Sequence, residues 1–225
     1  MAQGLISLFL LLTGSLLKPR ELISPVPERL IGGSLIESKE EILAFQSLDL
    51  GDRDENEYLN EVFSKNILLA LDYLGFEFVL EPGEVFAFHE NVLPEINDLG
   101  IGVKTMKSHF IASEGYCSSG YLYGDGVCHL ASFLYWAASE AGLETLGLTA
   151  HGFQPIPGVP EKYMIAVKYS PLDLSSAKQN LYLVNNLDYS IRFVFKIKGD
   201  DLELKVVRKN GYYVKNRKSA SRQYW

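Results

Sequence analysis

Only two cysteines occur in 225 residues, and they do not form a Cys-x-x-Cys pair. A zinc ribbon and a thioredoxin-type redox site are thereby excluded. The four histidines are scattered without metal-ligand spacing, so neither a resident metal nor another cofactor is expected. No G-x-x-x-x-G-K-[ST] or G-x-G-x-x-G stretch is present, which removes the common phosphate-cradling loops. Positive charge is in short supply. Lys and Arg number 21 against 28 Asp and Glu, a formal net charge of -7. The chain as a whole is therefore no nucleic-acid binder. Long apolar runs are also lacking. The uncharged stretch Gly4 to Leu17 falls short of the roughly 20 residues of a membrane span and fits the apolar region of a signal peptide. A buried N-terminal helix is the competing reading. No basic residue precedes the stretch, whereas Lys18 and Arg20 follow it. Export to the cell envelope is the expectation; by the positive-inside rule a cytoplasmic location stays open.

What is present suffices for one packed core: 47% of residues are hydrophobic and 12% aromatic. The pattern divides the chain into a leader or N-terminal helix over 1–20, an extension over 21–56, a main domain over 57–208 and a basic tail over 209–225. The extension holds Pro25, Pro27, Gly32 and Gly33, with short elements around Leu35 and over Ile42–Leu48. From Lys205 to Arg222 there are seven basic residues and no acidic one. Such a run meets an anionic envelope surface or is simply solvated.

The stretch that carries chemistry runs from Gly124 to Ala141. Gly124, Asp125 and Gly126 close a loop, and a run of helix formers follows to Ala141, with Gly142 as the stop. Asp125 reads as the N-cap, which places Cys128 in the first turn. Free N–H groups and the helix dipole favour an anion there, so the position suits a nucleophilic thiolate. A lone cysteine is otherwise a small buried hydrophobe. Leu130, Phe133, Leu134, Ala137 and Ala141 form a broad apolar face, and His129, Ser132, Ser139 and Glu140 form a polar stripe. His129 points about 100° away from Cys128, a poor partner for the thiol and more naturally a surface or loop contact. With Gly124, Asp125 and Gly126 it is a candidate substrate-binding residue. Cys117 lies in the preceding Gly/Ser/Tyr-rich loop. An even pair permits a disulfide, but a nucleophile must stay free, and the two are expected to be unbridged.

Around this stretch the periodicity predicts a helix through Leu59–Tyr73 ended by Gly75, and strands at Phe76–Leu80 and Val85–Phe88. Residues 89–123 read as loop. Four further strands are expected at Tyr163–Tyr169, Asn180–Val184, Ser190–Lys198 and Leu202–Val207, with Gly199-Asp200-Asp201 as a hairpin turn. The fold class is α+β: a central helix opened by a cysteine, packed on an antiparallel β-meander. His151 is the only histidine after that helix, which gives a papain-like Cys/His layout. In it His151 takes the proton of Cys128, and Asn185, Asn186 or Asp188 orients the imidazole.

Several separated motifs then resemble one family, the VanW domain. They are Ser64–Ala70 with Glu81–Phe88, Gly124–Ser132, Leu134-Tyr135 with Ala141–Glu144, Thr149-Ala150-His151, and Val184–Ile191. The chain departs from the family pattern at Asp125, His129 and Thr149, and Glu161-Lys162-Tyr163-Met164 lacks the aspartate usual there. The resemblance implies a bacterial envelope protein tied to peptidoglycan and to vancomycin resistance. It further implies a cysteine acyltransferase acting on peptidoglycan stem peptides through a thioester, like an L,D-transpeptidase. The alternative is a non-catalytic envelope module that binds cell-wall peptide or a partner protein.

Overall fold

Asn56 starts the first long helix, its side chain accepting the N–H groups of Tyr58 and Leu59. This is N-capping of the standard kind, worth about 1 kcal/mol. In the computed structural model, residues 40–209 are described, apart from Leu99, Tyr121 and Phe153. The leader, most of the extension and all of the basic tail after Lys209 lie outside the described residues.

In chain order the elements are β1 (Glu41–Asp49), α1 (Glu57–Leu74), β2 (Glu77–Leu80), β3 (Val85–Ala87) and α2 (Pro94–Asn97). There follow β4 (Val103–Thr105), α3 (Val127–Glu140), β5 (Glu144–Gly147), β6 (Leu181–Val184), β7 (Ile191–Lys198) and β8 (Asp201–Arg208). One sheet has the order β1-β8-β7-β2 and is antiparallel throughout. The other has the order β4-β3-β6-β5, with β3 and β4 parallel. Helix α3 packs against strands of both sheets and against α1. Its Leu130, Ala131, Phe133, Leu134, Ala137 and Ala138 are fully buried. Burial of each large side chain contributes about 1.5–3 kcal/mol, so α3 is the centre of the core. Phe78 of β2 joins the two sheets by stacking on Phe193 of β7 at 4.5 Å and on Phe86 of β3 at 4.9 Å.

The α+β class and the central helix stand, while four local expectations are corrected. The last strands form no continuous meander: β6 belongs to the second sheet, and β7 and β8 to the first. The turn after β6 crosses between them, tied by buried Asn185, which donates to the carbonyls of Leu80 and Tyr189. β1, inside the expected extension, pairs along β8, so the described domain starts before residue 57. β4 and β5 arise where no strand is expected; each is short, and its exposure alternates too briefly to leave a pattern.

The fourth correction concerns Tyr163–Tyr169. It begins in a 3-10 turn at Glu161–Tyr163 and continues as extended chain with a single bridge, Ala150 to Ile165. The His151 N–H donates to the Met164 carbonyl, and the Ala166 N–H to the Thr149 carbonyl. The opposite edge, at Ile165 and Val167, meets helix side chains instead of a strand.

Candidate functional site

Helix α3 places Cys128 and Ser132 one turn apart on one face. Cys128 Sγ donates to the Val167 carbonyl at 3.6 Å and accepts the Val167 N–H at 3.4 Å. Ser132 Oγ donates to the Ile165 carbonyl at 3.3 Å and accepts the Ile165 N–H at 3.0 Å. Four residues of helix rise about 6.0 Å and two residues of strand about 6.6 Å, so the spacings match. Two side chains thus act as a surrogate strand edge for residues 165–167. The ladder ends at Tyr163, whose hydroxyl donates to Glu140 Oε1 at 2.6 Å and whose ring stacks on Trp136. Of the polar stripe, His129 and Ser132 are buried, Ser139 is half-buried and Glu140 is exposed.

Burial pushes the Cys128 thiol above its ordinary value, and the negative charge of Asp125 adds to this; the Val167 N–H acts the other way without prevailing. Desolvation of a thiolate outweighs the stabilisation offered by the helix start. Asp125 is not the N-cap. Gly126 holds that position at φ 95° with no side-chain cap, and Asp125 accepts the N–H and hydroxyl of Ser119. Both cysteines are free thiols.

The glycines of the stretch serve close packing. A Cβ on Gly126 would lie 2.6 Å from the Phe63 carbonyl oxygen, and one on Gly124 would lie 2.8 Å from Phe110 Cβ. The loop is clamped by Asn66 of α1, which donates to the carbonyls of Cys117 and Asp125 and accepts the Cys117 N–H. Asn66 is a buried polar residue on the apolar face of a helix, and that position was the available signal for it.

His151 Nδ1 pairs with the Gln154 carbonyl at 2.9 Å, and its ring meets His129 edge-on at 6.3 Å between centroids. Among the described residues the only hydrogen-bond partner of the Cys128 sulfur is Val167, so a papain-like Cys/His layout is not shown. His129 is 6% exposed, packs on Phe63, and its Nδ1 has no partner among the described residues. Burial first, then the charge of Arg53, then His151 push its pKa down to about 3. It is a neutral interior imidazole and not a surface contact.

Arg53, which the sequence does not single out, completes this group. It is 2% exposed, its Nε bonds to the Asp49 carbonyl, and its Nη1 bonds to the Pro157 carbonyl at 2.9 Å. Asn186 and Asp188 lie elsewhere. Asn186 Oδ1 accepts the Glu144 N–H, just past the C-terminal end of α3, while Asp188 is exposed in the same turn. Twelve residues of helix separate that end from Cys128, about 18 Å of rise. The structure does not bring these two residues to the sulfur.

His151 also lines an open groove of about 560 Å³ with Tyr135, Leu148, Glu161, Lys162 and Met164. A second cavity, of about 440 Å³, lies by Glu57, Glu61, Lys65 and Asp200 and includes none of the candidate residues. No group of three metal-ligating side chains converges among the described residues. No helix among them is long and apolar enough to cross a membrane.

The family model described as VanW like protein matches residues 64–207, more than half of the chain, and the chain belongs to that family. Membership associates it with the cell wall and with vancomycin resistance. No curated protein matches, and no solved structure does.

Proposed function

We propose that this VanW-like chain is a cell-envelope module that binds cell-wall peptides, with peptidoglycan stem peptide as its ligand, in the groove beside His151. The observation that carries this reading is the commitment of the Cys128 sulfur to both backbone groups of Val167. A half-buried thiol, raised in pKa and occupied in this way, is a structural tie rather than a group poised to attack a ligand. The groove supports the reading by its chemistry. It offers the carboxylate of Glu161, the ammonium of Lys162 and the apolar Leu148 and Met164. That mixture suits a short peptide carrying both charges.

A second reading keeps the cysteine as the reactive group: acyl transfer of the L,D-transpeptidase type. It is favoured by the free thiol in the first turn of α3. Here the thiolate attacks a stem-peptide carbonyl, the leaving amine takes a proton from His151, and an acceptor amine then displaces the thioester. It requires the sulfur to leave Val167 and His151 to leave Gln154.

Titration of a soluble stem peptide, followed by NMR and calorimetry, separates the two. On the binding reading, Cys128→Ala retains affinity, and Glu161→Ala with Lys162→Ala reduces it about tenfold or more. Turnover or a mass adduct on Cys128, lost in Cys128→Ala, would replace binding by acyl transfer. Absence of binding and of turnover would overturn both.

A further inference from the structure

A guanidinium and two imidazoles, those of Arg53, His129 and His151, share a region beside the groove. Arg53 carries a charge out of water, at 2% exposure. Such a charge is costly unless it is well partnered. Its partners here are two neutral backbone carbonyls, those of Asp49 and Pro157. No carboxylate forms an ion pair with it among the described residues. Asp49 and Asp52 both lie near enough to be felt, but both are exposed to solvent, and Asp49 Oδ1 accepts the Gly51 N–H instead. A guanidinium has five N–H donors in a planar fork. Nη2 makes no hydrogen bond among the described residues, and it faces Gly158, where a Cβ would stand 3.9 Å away.

His129 supplies a second observation. Its buried Nδ1 has no partner among the described residues, on a ring that meets His151 edge-on. His151 in turn lines the groove, so it connects the open surface to the buried group. The segment lying over them is fastened by two bonds only a few residues apart, His151 Nδ1 to the Gln154 carbonyl and Arg53 Nη1 to the Pro157 carbonyl. The charge of Arg53 decides the sign of what fits: a cation between the two histidines is opposed, and an anion is attracted.

We propose that Arg53, His129 and His151 form the seat for a free carboxylate, so that the groove reads the C-terminal end of a peptide and not its interior. This rests on the peptide-binding reading and adds which end is held. The entering carboxylate replaces the Pro157 carbonyl on Arg53 and accepts a hydrogen bond from the N–H of His129 Nδ1. The bond it replaces already has an ionised donor; the carboxylate adds an ionised acceptor and a second oxygen for the fork. The planar fork of Arg53 matches the two oxygens of a carboxylate.

The test compares two synthetic stem peptides of one sequence, one ending in the free acid and the other in the amide, titrated calorimetrically into the full chain. The acid is expected to bind at least tenfold more tightly. In Arg53→Met, and separately in His129→Phe, the advantage of the acid over the amide should be lost. The wild-type comparison needs no variant, so a variant that fails to fold leaves the test standing. Equal affinities of acid and amide overturn the carboxylate seat while leaving peptide binding intact. Failure of both to bind overturns the seat together with the reading beneath it.

Discussion

Cys128 holds Val167 by both of its backbone groups, through a sulfur 3.4 Å from the amide nitrogen and 3.6 Å from the carbonyl oxygen. One helical turn on, Ser132 does the same for Ile165. Two side chains therefore do the work of a neighbouring strand. The residue that stands out in the sequence as a nucleophile is half-buried and has its sulfur engaged by the backbone of Val167.

That task predicts a coupled pair. Cys128→Val keeps volume but leaves the Val167 groups without partners, and Ser132→Ala does the same at Ile165. Each is expected to cost about 1–3 kcal/mol, the usual penalty for orphaned buried polar groups. Because both pin one segment, the double variant should cost less than the sum. Urea unfolding of the four proteins measures this, and strict additivity would refute the shared role.

Thiol chemistry follows from the same geometry. Burial raises the Cys128 thiol, so its alkylation in the folded protein should be slow and should climb only above pH ~8.5, the ordinary thiol range. Residue-resolved mass spectrometry after timed iodoacetamide exposure reads it out. Fast labelling of Cys128 near pH 6 would show an activated thiolate and favour acyl transfer.

His129 predicts a pH dependence. Its folded pKa, about 3, lies below the ordinary 6.5. The unfolded chain therefore binds the proton more readily, and stability contributed by the neutral ring is complete above pH ~6.5 and lost as pH falls towards 3. The span is roughly 3–5 kcal/mol if the unfolded ring titrates normally. His89, also lowered by burial, acts in the same direction. In His129→Phe the slope of unfolding free energy against pH over 4–6 should diminish by about one proton, as denaturant curves at several pH values will show.

Backbone packing at the start of α3 predicts intolerance. In Gly126→Ala the new carbon would meet the Phe63 carbonyl oxygen at 2.6 Å and the Phe63 Cα at 2.7 Å, at a φ of 95°. The left-handed backbone alone costs about 1–2 kcal/mol, before any overlap. Thermal unfolding should show a larger loss than for Gly83→Ala, which has positive φ and no neighbour within 4 Å.

Asn66→Ala should also destabilise, by about 2–4 kcal/mol, since three backbone groups of the 117–125 loop lose their partner. Amide exchange at Cys117, whose N–H is held by Asn66, should quicken more than exchange in β7 or β8.

The amino-acid sequence by itself determined the two long helices and most strands, but not α2, which lies in a stretch read as loop. Their periodicity is local and repeats over enough residues, as at Leu59–Tyr73 and at Ser190–Lys198. It also determined the family, because the motifs from Ser64 to Ile191 stand in order along the chain. What each polar residue does was decided by the tertiary structure. The thiol of Cys128 is committed by Val167, 39 residues away; His129 is kept neutral by burial and by Arg53 from outside the matched motifs; Asn186 is carried to the far end of α3 by the turn between the sheets. Hydrophobic periodicity is written in neighbours along the chain. The partner of a buried polar atom is set by which distant segments the packing brings within three or four ångströms.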